Sequence, residues 1–145
     1  MMNKLSGMML FIILLSAFLT AQTYDTFNID RIHSKIGFSI GYAGGVIDAE
    51  GRFKQFSGSV FINPKDVSDI KTSVTINVES IDTGMEFRDK DLRSPNWFDV
   101  EQFPTITFQS KSVRKSGDGY QLTGNLIMHG VTKEVALDFK PTTSK

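Results

Sequence analysis

The chain contains no cysteine, a single tryptophan and no excess of either sign of charge. The lack of cysteine excludes disulfides, thiolate catalysis and cysteine-ligated zinc together. Lysine plus arginine and aspartate plus glutamate both number 16, so the net charge is zero. Because a neutral chain has no general electrostatic attraction to nucleic acid, we expect no nucleic-acid partner.

Phenylalanine is the abundant aromatic residue, with 12 copies against three tyrosines and one tryptophan. Its side chain adds a large apolar area without a polar atom that needs a partner. A well-filled core and a lipid-binding cavity would each account for this excess. The 145 residues suffice for one domain, and 40% hydrophobic with 22% charged residues is typical of a folded one.

Residues 1–21 have the pattern of a secretory signal peptide. Lys4 supplies a positive start, residues 8–19 are apolar apart from Ser16, and Ala21 is a small residue suited to cleavage. This run is too short for a helix that spans a bilayer, so we expect no stable membrane span. We predict a mature domain at 22–145 that is periplasmic or secreted.

Apolar and polar residues alternate with period two along most of the mature chain, which is the pattern of strands with one buried face. Short turns separate these runs, and no strand–helix–strand rhythm occurs. The pattern predicts an all-β, antiparallel barrel or sandwich with an apolar inner face. The expected strands are 24–29, 36–42, 46–62, 72–81, 105–113, 120–128 and 131–139.

The alternation changes phase inside the longest expected strand. A β-bulge near Lys54 and Gln55 would restore the phase and bend the strand, as a closed sheet requires. The next strand shows no such break, and its alternation places Val78 inward and Ile81 outward.

A helical insert at about 84–98 interrupts the β pattern. Thr83 and Glu86 have the spacing of a capping box, which predicts a helix that starts at the glycine after Thr83. The dipeptide Ser94-Pro95 predicts a second helix start. We expect the apolar side chains of the insert to plug one end of the barrel; they are Phe87, Leu92, Trp97 and Phe98.

Five ordered motifs cover most of the mature chain. They are ID-x-x-HS-x-I-x-F from Ile29, G-x-F-x-x-F-x-G from Gly51, SI-x-TG-x-x-x-RD-x-x-LRS from Ser80, FP-x-I-x-F-x-S from Phe103 and G-x-L-x-x-HGVTK-x-V from Gly124. In these motifs the chain resembles the YceI-like, polyisoprenoid-binding family of exported proteins. The resemblance implies a lipocalin-like antiparallel β-barrel that holds a long isoprenoid or similar amphiphilic lipid, such as a quinone.

The family pattern has further strands after the HGVTK hairpin, whereas this sequence continues only to a polar PTTSK end. We therefore expect an incomplete barrel, which exposes an edge and an apolar interior that both favour association. Two explanations stay open. The sequence is a fragment, or a partner chain, such as a second copy in a homodimer, supplies the missing wall.

The inward-facing apolar residues are the first candidate site, since an apolar tube buries a lipid chain by the hydrophobic effect. Gly51, Gly58 and Gly124 on the same faces would leave room for a ligand. The alternative is a solid core, because small barrels are often filled by their own side chains. The predicted lining residues are Phe38, Ile40, Phe53, Val60, Ile62, Val74, Ile76, Val78, Ile106, Phe108, Leu122, Leu126 and Met128.

Arg88 and Asp89 in the helical insert are the second candidate site, with Trp97 near them at the barrel rim. A guanidinium group suits oxyanions, so Arg88 would meet a polar or anionic head group of the ligand. The alternative is that Arg88 and Asp89 anchor the helix to the barrel through ion pairs and caps.

The two histidines, His33 and His129, have no metal-binding or catalytic pattern around them. On a strand, Asp30 and His33 would point to opposite faces, and neither an HExxH motif nor a nucleophile elbow occurs. We expect no metal site, no catalytic residue and no cofactor other than a bound lipid.

The sequence thus favours a non-enzymatic, exported protein that holds a polyisoprenoid or similar amphiphilic lipid in a barrel lumen, for transport, storage or sequestration. Two alternatives stay open. One is a small-molecule enzyme at the barrel mouth that uses Asp30, His33 or Asp89. The other is a structural or interaction module that uses its open sheet edge.

Overall fold

A computed structural model describes residues 23–42 and 47–142 of the chain. Within these ranges it contains nine strands, one α-helix and one short 3-10 helix. In chain order they are β1 Asp25–Asn28, β2 Ile36–Tyr42, β3 Ile47–Phe53, β4 Phe56–Asn63, β5 Asp66–Asn77, the 3-10 helix Val78–Ser80, β6 Ile81–Asp82, α1 Glu86–Arg93, β7 Thr105–Ser116, β8 Gly119–Met128 and β9 Val131–Phe139. The predicted signal peptide at 1–21 lies outside the described residues. None of the helices described is long and apolar enough to cross a membrane.

The strands form two antiparallel sheets. A six-stranded sheet has the order β1-β4-β5-β7-β8-β9, and a three-stranded sheet has the order β2-β3-β6. The prediction of an all-β, antiparallel fold with one short helix is confirmed. Within the described part of the chain, β9 pairs only with β8, so the sheets do not close into a continuous barrel.

The chain crosses from one sheet to the other at Lys54 and Gln55, where a bulge was expected. The amide of Lys54 donates to the carbonyl of Ser80 at 3.0 Å, and the amide of Gln55 donates to Ser80 Oγ at 2.9 Å. The phase change was therefore placed correctly, but it marks a corner between β3 and β4 and not a bulge. The register of the β7–β8 pair shifts instead between Ser110 and Ser112.

The six-stranded sheet has one polar and one apolar face. On the polar face Arg114 Nη2 donates to Gln121 Oε1 at 2.6 Å, and Gln121 Nε2 donates to Asp138 Oδ1 at 2.9 Å. This polar row crosses β7, β8 and β9. On the apolar face Phe108 and Leu122 are buried, which matches the predicted alternation.

The centre of the core lies where the two sheets meet below the helical segment. It contains Phe53, Val78, Ile81 and Ile106, and Leu92 of α1 packs against it together with Phe98 and Val100. The prediction that Ile81 faces outward is wrong. The 3-10 turn Val78–Ser80 breaks the alternation, and Ile81 then pairs with Phe53 and is buried.

The helix α1 begins two residues later than expected and has no capping box. Its N-cap is Met85, which makes no side-chain cap hydrogen bond, and Gly84 takes a positive φ of 77° that suits glycine. The second helix expected at Ser94-Pro95 does not form. Residues 94–98 form turns instead, in which the amides of Trp97 and Asp99 both donate to the carbonyl of Ser94 at 3.0 Å.

Candidate functional site

An apolar pocket lies on the inner face of the six-stranded sheet, at the β8–β9 hairpin. The pairing sets Met128 opposite Val131 and Leu126 opposite Lys133, so these four side chains share one face. With His129 they line a pocket of about 260 Å³, which we call the hairpin pocket. Met128 and Val131 are exposed although they belong to the apolar face. Among the described residues, none covers this part of the inner face enough to bury Met128 or Val131.

The segment that follows α1 supports the hairpin pocket. The ring of Phe103 lies 4.3 Å from the ring of His129, measured between centroids. The turn residues His129 and Gly130 both have positive φ, and a Cβ atom at Gly130 would come within 2.9 Å of the Phe103 ring. Glycine is therefore needed here both for its backbone conformation and for the close approach of Phe103.

The predicted lining residues are spread over both sheets and differ in burial. Phe53, Val78, Ile106, Phe108 and Leu122 are buried, while Ile40 and Met128 are exposed. The remaining six are partly buried: Phe38, Val60, Ile62, Val74, Ile76 and Leu126. The structure brings only Leu126 and Met128 of this set into the hairpin pocket. Contact between these side chains and a ligand stays a prediction.

The three glycines that were expected to leave room are covered by the protein's own side chains. A Cβ atom at Gly51 would lie 2.3 Å from the Phe38 ring, and one at Gly124 would lie 2.5 Å from the Phe108 ring. At Gly58 the nearest side chain is that of Ile29, at 2.8 Å. The space beside Gly51 and Gly124 is therefore occupied by the rings of Phe38 and Phe108.

Arg88 and Asp89 form a compact hydrogen-bonded group with Thr83. The Thr83 amide and hydroxyl both donate to Asp89 Oδ1, at 2.8 and 2.6 Å. Arg88 Nε donates to Thr83 Oγ1 at 2.8 Å, and Arg88 Nη2 donates to the Thr83 carbonyl at 2.9 Å. Asp89 is buried. These contacts correspond to the anchoring role, and a head-group role for Arg88 stays a prediction.

Two of the four expected plug residues pack inward and two do not. Leu92 and Phe98 pack against the core, whereas Phe87 and Trp97 are exposed. The Trp97 indole Nε1 donates to Asp91 Oδ2 at 3.0 Å, which fixes the ring on the outer side of α1. Trp97 and Phe87 therefore do not close the barrel end.

Asp30 and His33 lie in a turn between β1 and β2 and not on a strand. Their side chains meet, with His33 Nδ1 2.6 Å from Asp30 Oδ2, so the prediction that they point apart is wrong. The hydrogen bond to His33, followed by that from the Ile32 amide, lowers the pKa of Asp30. Both side chains are exposed. Among the described residues, no group of three or more potential metal ligands occurs.

Sequence reasoning missed Val131, His129 and Lys133 as pocket residues. The signal was present, because Val131 and Lys133 continue the same face as Val135 on β9. The alternation of β9 was predicted, but the predicted lining ended at Met128 and included no residue of that strand.

The comparisons with known proteins agree with the fold. A family model for the YceI-like domain matches residues 27–145. Protein YceI of Salmonella arizonae is 48% identical over 90 residues, which are 62% of this chain and 47% of that protein, so the match spans about half of the relative's length.

Two solved structures share the architecture. Burkholderia cenocepacia BcnA has a TM-score of 0.72 and 27% identity, covering 81% of this chain and 73% of its own. A polyisoprenoid binding domain from Saccharophagus degradans has a TM-score of 0.50 and 16% identity, covering 80% of this chain and 64% of its own, and so shares the fold alone. Because the family model matches residues 27–145, which include β2 to β9 and all five motifs, the chain belongs to the YceI-like family.

Proposed function

We propose that the chain binds an isoprenoid or similar amphiphilic lipid against its apolar inner face, without making or breaking a bond. The observation that carries the proposal is the apolar surface at the hairpin pocket, where Met128 and Val131 are exposed on the apolar face of the six-stranded sheet. Each 100 Å² of apolar surface that a lipid covers contributes about 2.5 kcal/mol, at about 25 cal/mol per Å². Membership of the YceI-like family supports a binding role.

The proposal includes export, with 1–21 as a cleaved signal peptide and a periplasmic or secreted location. The hypothesis of an enzyme at the barrel mouth is less well supported by the geometry of its candidate residues. Asp30 and His33 form a pair, but both side chains are exposed to water. Asp89 is held by Thr83. Electrostatic catalysis depends on a preorganised site from which water is excluded. Because water surrounds and screens an exposed pair, the pair of Asp30 and His33 does not provide such a site.

An interaction module that uses the β9 edge is the second candidate function. In the described part of the chain β9 has a strand on one side only. An open edge of this kind can add a strand from another chain. Size-exclusion chromatography with light scattering distinguishes the two roles, because the interaction module predicts a stable dimer whether or not lipid is present.

The lipid-binding proposal is tested by a pair of matched variants. Met128 on the inner face and Ile127 on the outer face are 42% and 44% exposed. We expect Met128→Gln to weaken binding of the prenyl alcohol geranylgeraniol by roughly fivefold, since about 1 kcal/mol of apolar contact is lost. Ile127→Gln should leave the affinity unchanged in the same calorimetric titration.

Extraction of the natively purified protein with organic solvent, followed by mass spectrometry, gives an independent test. A stoichiometric isoprenoid lipid is the expected result. Equal weakening by both variants, together with an extract free of lipid, would contradict the proposal.

A further inference from the structure

A polar pocket lies on the outer face of the three-stranded sheet, away from the packed core. Ile36 and Phe38 of β2 pack against the core, so the residues that alternate with them face outward. We call this pocket the outer pocket, and its volume is about 550 Å³. The hairpin pocket lies on the other sheet, at β8 and β9. The residues that line the outer pocket include Lys35, Gly37, Ser39, Glu50, Arg52 and Asp82.

Lys35 and Arg52 bring two positive charges to one end of the outer pocket. Arg52 lies opposite Gly37 in the β2–β3 pair, and Gly37 has no side chain to fill the space in front of it. The side chain of Lys35 extends over this glycine, because its Cε atom would lie 3.6 Å from a Cβ atom at Gly37. The lysine and the arginine therefore project from neighbouring positions into the same open space.

Asp82 neutralises only part of this positive charge. Its Oδ2 atom accepts hydrogen bonds from Arg52 Nε and Nη2 at 3.1 and 3.0 Å, and Lys54 Nζ lies 3.1 Å from the same oxygen. One carboxylate thus serves two cations, which holds Arg52 in position and leaves one positive charge uncompensated. Lys35 has no ion pair among the side chains that the structure describes.

Glu50 places a negative charge at the other end of the outer pocket. It faces outward like Arg52, two residues away along β3, which corresponds to about 6.6 Å between their Cα atoms. In the described part of the chain Glu50 forms no ion pair either, so it does not pair with Lys35 although both line one pocket. The outer pocket therefore has a positive end and a negative end, and both are exposed to water.

This arrangement favours a ligand that carries both signs of charge. A simple anion would be attracted by Lys35 and Arg52 but repelled by Glu50, and a simple cation would be repelled by the opposite end. A ligand with an oxyanion and an ammonium group can form charge-assisted hydrogen bonds at both ends. Because Arg52 and Glu50 are close along the strand, the bridge between the two groups of the ligand must be short.

We propose that the outer pocket binds a phosphoethanolamine group, either free or as the head group of a phospholipid. The phosphate lies between Lys35 and Arg52, because ammonium and guanidinium groups suit its oxygens. The ammonium group of the ligand donates hydrogen bonds to the Glu50 carboxylate, and the two-carbon bridge is short enough to fit between the two ends. This binding is independent of the lipid proposed for the hairpin pocket, since the two pockets lie on different sheets.

The test is a titration of the isotope-labelled full chain, followed through its backbone amide signals by nuclear magnetic resonance. The probes are O-phosphoethanolamine and inorganic phosphate. Each is titrated into the wild-type protein, Lys35→Met and Glu50→Gln. The matched controls are Lys90→Met and Glu101→Gln, because both residues are exposed and lie outside the outer pocket. Melting curves by circular dichroism establish that the variants remain folded.

We expect O-phosphoethanolamine to shift the amide signals of Gly37 and Arg52 and to leave that of Gly130 at the hairpin turn unchanged. Lys35→Met should weaken the binding of both probes by about fivefold, which is the upper range for an exposed ion pair. Glu50→Gln should weaken O-phosphoethanolamine and strengthen inorganic phosphate, because it removes an attraction in one case and a repulsion in the other. The two control variants should change neither affinity.

Vesicles distinguish the two sources of the group. We compare sedimentation of the protein with phosphatidylcholine vesicles and with vesicles that also contain phosphatidylethanolamine, since a choline group has no N–H donor for Glu50. Sedimentation that requires phosphatidylethanolamine and is lost in Glu50→Gln assigns the pocket to a phospholipid head group. Binding of O-phosphoethanolamine without sedimentation assigns it to the free compound. Either result supports the proposed ligand chemistry.

Two outcomes overturn the inference. In the first, O-phosphoethanolamine leaves the Gly37 and Arg52 signals unchanged and the wild-type protein sediments with neither kind of vesicle. In the second, Glu50→Gln changes the affinities for both probes in the same direction, which would show that Glu50 does not contact the ammonium group. Neither outcome affects the lipid-binding proposal, which is tested at Met128 with a different ligand.

Discussion

Val78 and Val131 both belong to the apolar interior, yet Val78 is 1% exposed and Val131 is 53% exposed. Val78 lies in the packed region, where Leu92 and Phe98 of the helical segment cover the meeting point of the two sheets. Val131 lies in the open region on β9, over which the described residues place no second layer. The two positions show that burial here depends on what covers a side chain as much as on its own hydrophobicity.

The two regions are suited to different tasks. A core of closely packed side chains tolerates substitution poorly, because the loss of even one methylene group lowers the free energy of unfolding. An apolar face that stays exposed contributes less to folding. The following variants test this division, beginning with the largest expected effect.

The strongest effect is expected from Ile81→Ala in the packed region. Ile81 is among the most buried side chains described, and its removal leaves a cavity against Phe53. We expect a loss of about 2–5 kcal/mol in the free energy of unfolding, measured by urea titration. The matched change Leu137→Ala in the open region should cost about 1 kcal/mol or less, because half of that side chain already contacts water.

Comparable losses from Ile81→Ala and Leu137→Ala would show that the open region is covered in solution. The division into a packed and an open region would then be wrong.

A smaller effect is expected from Thr83→Val, which keeps the shape and removes the hydroxyl. Asp89 then loses one of its two donors while it stays buried, and Arg88 loses an acceptor. We expect a loss of about 1–3 kcal/mol in the free energy of unfolding. Thr75→Val is the control, because this threonine is exposed on β5.

This variant also separates the two roles of Arg88. If Thr83→Val lowers the melting temperature and leaves lipid affinity unchanged, Arg88 acts as an anchor of α1. Loss of lipid affinity at an unchanged melting temperature would contradict that role.

The smallest effect is expected at Asp82, which joins β6 to β3 beside the packed region. Lys54 Nζ lies 3.1 Å and Arg52 Nη2 lies 3.0 Å from Asp82 Oδ2, and these cations lower its pKa from 3.8 to about 2. A carboxyl whose pKa is lowered by folding adds stability above its unfolded pKa and loses it as the pH falls toward the folded value. Its contribution should therefore be complete above about pH 4 and absent below about pH 2.

The measurement is the difference in melting temperature between the wild-type protein and Asp82→Asn. We expect it to shrink as the pH is lowered from 6 to 2. A difference that stays constant over this range would show that the ion pairs do not act in solution.

The sequence predicted the strands well because period two depends only on which side of each strand is buried. The prediction of which side chains face inward failed where a short local structure interrupts the alternation along a strand. The 3-10 turn Val78–Ser80 turned Ile81 inward, and the crossing at Lys54 and Gln55 looked the same as a bulge in the pattern. Neither event has a periodic signal of its own.

The site was predicted less well than the fold, for a related reason. Thr83 and Glu86 have the spacing of a capping box, but the box does not form. The Thr83 hydroxyl instead donates a hydrogen bond to Asp89, six residues further along the chain. Likewise, the glycines were expected to leave space, and the rings of Phe38 and Phe108 occupy it. Competition among side chains that are distant in sequence decided both cases.

The polar row formed by Arg114, Gln121 and Asp138 has a consequence for how the open sheet keeps its alignment. A slip of two residues between β8 and β9 would leave every apolar side chain on the correct face, so the apolar pattern alone permits it. After such a slip Gln121 would face Ala136 or Lys140 in place of Asp138, and its hydrogen bond would be lost. The polar row thus makes a two-residue shift of β9 along β8 unfavourable, although the apolar face would permit it. It therefore favours a single pairing register in a sheet that has an open edge.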